Sequence, residues 1–389
     1  SLGVGNMAQV MTLLHFQKAG HKPIALVGGA TGMVGDPSGK SAERNLLDED
    51  TLNKNIAGFK KQLEKFLNFN TGETGAVLLN NYDWMKGYSF LNFIRDVGKH
   101  LTVSYMMAKD SVKNRLENGM SFTEFSYQLL QAYDFHYLFN SHNCKLQMGG
   151  SDQWGNIVTG TELIRRKDAG EAFALTTNLI KKSDGTKFGK TESGAVWLDA
   201  KKTSPYKFYQ FWLNAADEDV KTYIRIFSLK TKEEIEELEK IHFDAPHLRI
   251  LQKELGKEIT CRVHSVKDFE SVLKVTELLF NPKLDSEYLQ KISEEDWLSV
   301  SDEIPSFKFI GTTDFTKTDI LTLLSEASGI LPSKSEARRA ITGNAISINK
   351  IKLQSIDAIF NESDLLAGKY LFIENGKKNK CLMIVEEPN

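Results

Sequence analysis

Two lysines three positions apart, followed at once by a hydroxyl, stand in the run Lys187-Phe188-Gly189-Lys190-Thr191. Ammonium groups spaced this way can neutralise and hold a triphosphate, and the glycines around the run let such a loop open and close. Lysine-rich exposed loops also serve solubility alone, so this run carries both readings. Near the start, Gly3-Val4-Gly5-Asn6 precedes a helical pattern from Met7 to Gln17. Glycines there admit a ligand close to the backbone, and the N-terminus of the following helix favours an anion. Gly35-Asp36-Pro37-Ser38-Gly39-Lys40-Ser41 looks like a P-loop but is one residue short: Val34 stands where the first glycine belongs, and Pro37 removes one N–H from any phosphate cradle. A turn that shapes a pocket is the better reading.

A second group of polar residues sits on a helix. Ser121 and Glu124 form a capping box that starts a helix running to about Phe139. Tyr127, Gln131 and Asp134 follow at i, i+4 and i+7 and share one face, while Phe125, Leu129 and Tyr133 point elsewhere. Three polar groups on one stripe of an aromatic helix read either as a solvated face or as a grip on a polar ligand. Gln147-Met148-Gly149-Gly150-Ser151-Asp152-Gln153-Trp154-Gly155-Asn156 follows a strand and gathers glycines, an acid and amides at its end, a composition suited to a ribose diol and an adenylate. The eight histidines form no metal-ligand pair, and the three cysteines, Cys144, Cys261 and Cys381, lie far apart without a Cys-x-x-Cys spacing. Neither a disulfide framework nor a structural zinc site is indicated, and a reducing cytoplasm fits best.

The elements that must position these residues have the grammar of an α/β fold. Apolar runs at 23–27, 76–79 and 145–148 read as buried strands; the first ends in the glycine-rich stretch Gly28-Gly29-Ala30-Thr31-Gly32, expected as a loop. Strands separated by helical patterns predict a parallel sheet with functional residues at the strand ends. Ser204-Pro205 starts another helix, and from about 220 to 280 the pattern is helical throughout. Residues 281–319 read as looser, with a linker at 301–319. A third unit follows, with helices at 319–328 and 335–342 and strands near 345–348 and 370–373. Its segment 332–352 holds Lys334, Arg338, Arg339, Lys350 and Lys352 against Glu336 alone. That is a candidate RNA-backbone contact or a solvated helix face.

At 389 residues two or three domains are expected. The formal charge of −2 excludes a chain basic enough overall to bind nucleic acid by bulk charge. Nowhere do about 18 apolar residues run together, which excludes a membrane-spanning helix. The chain opens at Ser1 directly into a glycine motif, so a preceding segment is expected.

In this order, the blocks resemble a class I aminoacyl-tRNA synthetase, specifically the bacterial-type tyrosyl family, over nearly the whole chain. Gly3-Val4-Gly5-Asn6 corresponds to the first class signature, His-Ile-Gly-His, and Lys187-Phe188-Gly189-Lys190-Thr191 to the second, Lys-Met-Ser-Lys-Ser. Between them, Ala30-Thr31-Gly32 with Gly35-Asp36-Pro37-Ser38-Gly39, Asn81-Tyr82-Asp83-Trp84, residues 122–127, Gln131-Ala132-Tyr133-Asp134 and Gly150-Ser151-Asp152-Gln153-Trp154-Gly155-Asn156 look like blocks of the tyrosine enzymes.

The resemblance implies a Rossmann-like catalytic domain (1–220), a helical anticodon-arm domain (221–300), a linker (301–319) and an S4-like RNA-binding domain (320–389). It implies ATP with Mg2+ as substrate, no tightly bound protein metal, and L-tyrosine and tRNA(Tyr) as partners. A homodimer is implied, with the region around Phe122 near the two-fold contact. Lys187, Lys190, Thr191, Lys40 and Arg44 would stabilise the departing pyrophosphate; Gly3, Gly5, Asn6, Gly150, Asp152 and Lys190 would bind ATP. Asp36, Tyr127 and Gln131 would hold the tyrosine ammonium, Asp134 the phenol, and Gln147 and Gln153 would be further partners around it. Lys334, Arg338 and Arg339 would contact tRNA.

Both signature histidines are replaced: Asn6 can still donate a hydrogen bond, whereas Gly3 offers only backbone. The family's substrate contacts on a strand before the first signature are absent. Two other readings stay open. The tryptophan-specific sister family shares the class I plan, but Asp134 beside Tyr127 and Gln131, with the C-terminal module, argues against it. A non-catalytic RNA-binding protein on a synthetase fold would account for the lost histidines.

Overall fold

A computed structural model describes residues 1–34, 49–70, 72–116, 119–191, 194–310, 315–376 and 379–386. Asp36, Lys40 and Arg44, with the P-loop-like run, lie outside the described residues. The chain divides into two compact units. The first comprises Ser1–Ser204 and Gln210–Val263, the second Pro205–Tyr209 and His264–Asn389.

In the first unit, strands β1 (Ile24–Val27) and β2 (Val77–Asn80) pair in parallel, as do β3 (Leu146–Gly150) and β4 (Phe173–Thr177). The three strands read from apolar runs are all present. Among the described residues the sheet is two hydrogen-bonded pairs rather than one, and residues of β1 and β3 line a common cavity. Gly28-Gly29-Ala30-Thr31-Gly32 departs from its expectation as a loop: a short helix, α2 (Gly29–Val34), begins within it. Asn80 and Asn81, at the end of β2, staple this turn: Asn80 Oδ1 accepts from the Gly29 N–H at 3.1 Å and Asn81 Oδ1 from the Ala30 N–H at 2.8 Å. A β-carbon on Gly29 would come within 2.2 Å of Asn80 Oδ1, so the staple requires glycine.

The helix expected from Ser121 is α3 (Phe122–His142). Ser121 Oγ accepts from the Glu124 N–H at 3.2 Å, and Glu124 Oε2 accepts from the Ser121 N–H at 3.3 Å, which completes the capping box. The same carboxylate takes Arg115 Nη2 at 2.9 Å on both oxygens in a buried pair. Removing either partner strands a buried charge, typically at a cost of about 3–5 kcal/mol. Asn143, in the left-handed conformation at φ 51°, ends the helix. The helix α4 (Trp154–Asp168) packs along α3 at Gly160, where a β-carbon would meet Phe135 Cδ1 at 2.9 Å. Helices Asp217–Phe227, Lys232–Asp244 and Ile250–Val263 follow in this unit, in keeping with the helical texture expected after residue 220.

The second unit is bounded differently from the sequence expectation. Its compact body begins at His264, not near 320, and the expected linker 301–319 contains strand β7 (Ser306–Ile310). With β8 (Ile346–Ile348), β9 (Ile351–Lys352), β10 (Tyr370–Asn375) and β11 (Asn379–Glu386) it forms a sheet of order β7-β11-β10-β8-β9. β7 runs parallel to β11 and the other pairs are antiparallel.

The central strands of this sheet are buried on both faces. On β10, Leu371 and Ile373 join a core with Ile320, Leu324, Ala337 and Ile341, while Tyr370 and Phe372 join another with Val275, Leu278, Trp297 and Val300. Side chains alternate across a strand, so the two cores lie on opposite faces. The helices Val266–Phe280 and Glu294–Ser301 thus cover one face, and the basic helix Lys334–Thr342 with the helical segments Ile320–Thr322 and Leu323–Ala327 covers the other. Among the described residues no helix is long and apolar enough to cross a membrane.

Candidate active site

The two signature loops meet. Gly3 to Asn6 forms a tight turn in which the Gly3 N–H donates to Asn6 Oδ1 at 3.0 Å and the Asn6 N–H to Gly3 O at 2.9 Å. The Asn6 carboxamide oxygen is therefore engaged in the turn. The Val4 N–H donates to Val196 O at 2.9 Å, and the Val196 N–H to Gly189 O at 3.0 Å. Through Val196 the first loop is tied to the second. Gly189 sits at φ +82°, a conformation that favours glycine.

The lysine loop is anchored by Phe188, which is buried. Its ring stacks on Phe227 at 5.5 Å and meets Phe211, Trp212 and Tyr223 at 4.9 to 6.0 Å. Burial of this ring fixes the backbone on which Lys187 and Lys190 stand. Lys190 is exposed, on a two-residue strand β5 (Lys190–Thr191) paired with β6 (Gly194–Ala195). Thr191 Oγ1 donates to Gly194 O at 3.3 Å, and Lys182 Nζ to Lys190 O at 3.1 Å. No ion-pair partner for Lys187 or Lys190 occurs among the described residues.

The polar stripe of α3 faces a cavity of about 1170 Å³. Tyr127, Gln131 and Asp134 line it together with Gln147 and Gln153, so the structure brings these five sequence-predicted residues to one place. The cavity is larger than one amino acid and runs on between β1 and β3. Gln147 Oε1 is buried in its wall with no hydrogen-bond partner among the described residues.

Asp134 is 2% exposed. Its Oδ2 accepts from Asn81 Nδ2 and its Oδ1 from Trp84 Nε1, both at 2.9 Å. Asn81 Nδ2 also reaches Thr31 Oγ1 at 3.1 Å, and the Trp84 indole stacks on Tyr137 at 4.3 Å, one turn along α3 from Asp134. Burial raises the Asp134 carboxyl to about 7, against the pull of the two donated hydrogen bonds. Asn81 and Trp84 appeared in the sequence as part of a block but without a role. Their contacts span 50 residues and more, and no local periodicity signals them.

Gly150 and Asp152 form the strand-end turn. A β-carbon on Gly150 would come within 2.7 Å of Asp152 Oδ1 and 3.0 Å of Leu179 Cδ2, so the backbone there is open on one side only because the residue is glycine.

On the second unit, Arg338 and Arg339 are exposed on their helix and Lys334 pairs with Glu326 at 3.4 Å. Lys350 is not part of an open basic face: its ammonium is buried against Glu374 at 2.9 Å and lies over the Phe372 ring.

Residues 1–281 match the family described as tRNA synthetases class I (W and Y), and residues 298–383 match the tyrosine–tRNA ligase SYY-like C-terminal domain. A tyrosine–tRNA ligase of Cytophaga hutchinsonii is 58% identical over 385 residues, covering 98% of this chain and 90% of the relative. One of Parabacteroides distasonis is 56% identical over 391 residues, covering 99% and 91%. A crystal structure of a C-terminally truncated mitochondrial tyrosyl-tRNA synthetase of Aspergillus nidulans superposes with a TM-score of 0.65 at 29% identity, covering 72% of this chain and 82% of that one. The chain belongs to the class I tRNA synthetases of the tryptophan and tyrosine group. Within that group it is an enzyme of the tyrosine–tRNA ligase type.

Proposed function

We propose that the cavity beneath α3 binds L-tyrosine, that the paired signature loops hold ATP beside it, and that the product is tyrosyl-adenylate, from which tyrosine passes to tRNA(Tyr). A tyrosine carboxylate oxygen attacks the α-phosphorus in line, the bond to the bridging oxygen breaks, and pyrophosphate leaves with the electron pair. The terminal hydroxyl of tRNA then attacks the tyrosyl carbonyl carbon and AMP departs. No side-chain nucleophile takes part; positioning and charge stabilisation suffice. The observation that carries this reading is the convergence of Tyr127, Gln131, Asp134, Gln147 and Gln153 on one cavity.

Asp134 accepts the phenolic hydroxyl, and its orientation is fixed by Asn81 and Trp84. Phenylalanine would leave the remaining acceptor capacity of that buried carboxylate without a donor, the general reason tyrosyl-tRNA synthetases reject it. Tyr127, Gln131 and Asp36 receive the ammonium group. Lys187, Lys190 and Thr191, with Lys40 and Arg44, stabilise the pyrophosphate; Thr191 must leave its bond to Gly194 to do so. Asp152 takes the ribose, and Gly5 and Gly150 let the nucleotide approach the backbone. Mg2+ accompanies ATP as part of the substrate.

Three further readings belong to this proposal. The exposed apolar side chains Phe90, Leu91, Val103, Phe122 and Trp154 support a homodimer. Arg338, Arg339 and Lys334 support a tRNA contact on an S4-like module, with the helical region 221–300 meeting the anticodon arm. Three cysteines far apart in the chain fit a reducing compartment, for which we take the cytoplasm.

Tyrosine-dependent exchange of labelled pyrophosphate into ATP, on the full chain, tests the reading. Exchange with tyrosine and none with phenylalanine is expected, together with a single-turnover rate at least tenfold lower in Lys190→Ala at nearly unchanged tyrosine affinity. A full chain that exchanges nothing with tyrosine at saturating ATP would overturn it.

A further inference from the structure

Gln9 is the third residue of α1 (Met7–Lys18), directly after the first-signature turn, and belongs to no signature block. Its carboxamide lies at the paired ends of β3 and β4, where Gly149 is opposite Thr176 and Gly150 opposite Thr177. In the amide orientation that gives each atom a complementary partner, Nε2 donates to Gly149 O at 3.2 Å. Oε1 then accepts from Thr177 Oγ1 at 2.7 Å and from the Gly150 N–H at 3.3 Å. One side chain thus joins three segments: the helix that follows the first signature, the turn that carries Asp152, and the end of β4. A β-carbon on Gly150 would stand 3.6 Å from the Gln9 amide and 2.7 Å from Asp152 Oδ1. Both side chains therefore lie close beside Gly150, and Gln9 bonds its backbone N–H.

We propose that Gln9 is a positioning residue for adenylate formation, setting the separation between the first-signature turn and the Gly149–Asp152 turn. The proposal rests on the nucleotide lying between those two walls, as read above. Gln9 acts through backbone groups and touches no reacting atom. The end of a strand pair is where ladder hydrogen bonds run out, so the Gly150 N–H needs an acceptor from elsewhere, and Gln9 supplies it. Placement errors of about 1 Å at a reacting centre can reduce rate by about a hundredfold. Loss of this brace is expected to act on the ATP step and to spare tyrosine binding, because the three bonds fix the ribose-side turn and not Asp134.

Gln9→Met keeps length and packing and removes all three bonds; Thr177→Val removes one partner. In pyrophosphate exchange, Gln9→Met should lower kcat/KM for ATP about tenfold while the tyrosine Kd stays within twofold. The double variant should lose no more than the worse single variant, since both break the same brace. Thr177→Ser, which keeps the hydroxyl, should restore activity. Additive losses, or a tyrosine Kd that rises in step with the ATP effect, would overturn the assignment. Amide hydrogen exchange of the ligand-free chain gives a readout that needs no activity: the Gly150 amide should exchange at least tenfold faster in Gln9→Met than in the unaltered chain. Unchanged exchange at Gly150 sinks the brace even if the enzyme is active; faster exchange in a chain that activates no tyrosine leaves the brace standing and removes the functional reading instead.

Discussion

Gly189 lies so close to Gly5 that a β-carbon on Gly189 would stand 2.8 Å from the Gly5 nitrogen and 3.2 Å from its α-carbon. The two signature loops, 184 positions apart in the chain, are in backbone contact. What their separate sequences could not state is that each is part of the other's wall.

Gly189→Ala should therefore be worse than its small size implies. The position has φ +82°, so alanine is strained there, and the obstacle is backbone that cannot rotate away. Stopped-flow measurement should show adenylate formation slowed by about a hundredfold, with tyrosine affinity within twofold of the unaltered chain.

Trp84→Phe keeps the stack on Tyr137 and deletes the donor to Asp134. Hydrogen bonds to charged groups contribute about 1.5–3 kcal/mol, so the Kd for tyrosine should rise about tenfold or more, with the KM for ATP little changed. Equal effects on both substrates would remove Asp134 from the phenol site.

The raised Asp134 carboxyl gives a pH signature. Its folded value of about 7 lies above the ordinary carboxylate value, so its contribution to stability is complete below about pH 4 and is lost as pH rises through 7. A bound phenol donates to the ionised form and lowers that value. Tyrosine binding near pH 7 should release a fraction of a proton, seen as a calorimetric enthalpy that depends on the buffer's ionisation enthalpy. Asp134→Ala should abolish the dependence.

Arg338→Ala with Arg339→Ala should raise the KM for tRNA. The slope of log K against log salt should become shallower by about one for each phosphate that is no longer neutralised. Pyrophosphate exchange, which needs no tRNA, should be unaffected.

A fragment of residues 320–389 should fail to fold as a monomer, because Phe372 and Leu382 lose their covering helices. A fragment of residues 264–389 should retain a cooperative thermal transition. Circular dichroism melts of the two fragments decide it.

Much of this was legible because it is local. The capping box at Ser121 and Glu124, the i, i+4, i+7 stripe on α3 and the apolar runs of β1 to β3 are written in neighbouring residues. Phe188 was hidden: in sequence it stands inside a polar loop, and only the aromatic cluster of Phe211, Trp212, Tyr223 and Phe227 reveals it as the loop's anchor. β7 was missed as well, although the alternation in Ser306-Phe307-Lys308-Phe309-Ile310 carries a strand signal; five residues between turns are too few to outweigh the glycine and proline around them. Asn81, Trp84 and Gln9 could not be assigned because their partners lie 50 to 168 positions away.

The C-terminal sheet, whose central strands β10 and β11 pack on both faces, has a consequence for how such a protein can be altered by recombination. The stretch 301–319 resembles a seam, yet crossing over there between two relatives would set one parent's sheet against the other's helices and split a core. A chimera that respects the packing must exchange everything from His264 onward, with the short piece 205–209 matched to it. The unit of inheritance for the C-terminal end is thus nearly twice the length that its sequence texture marks out.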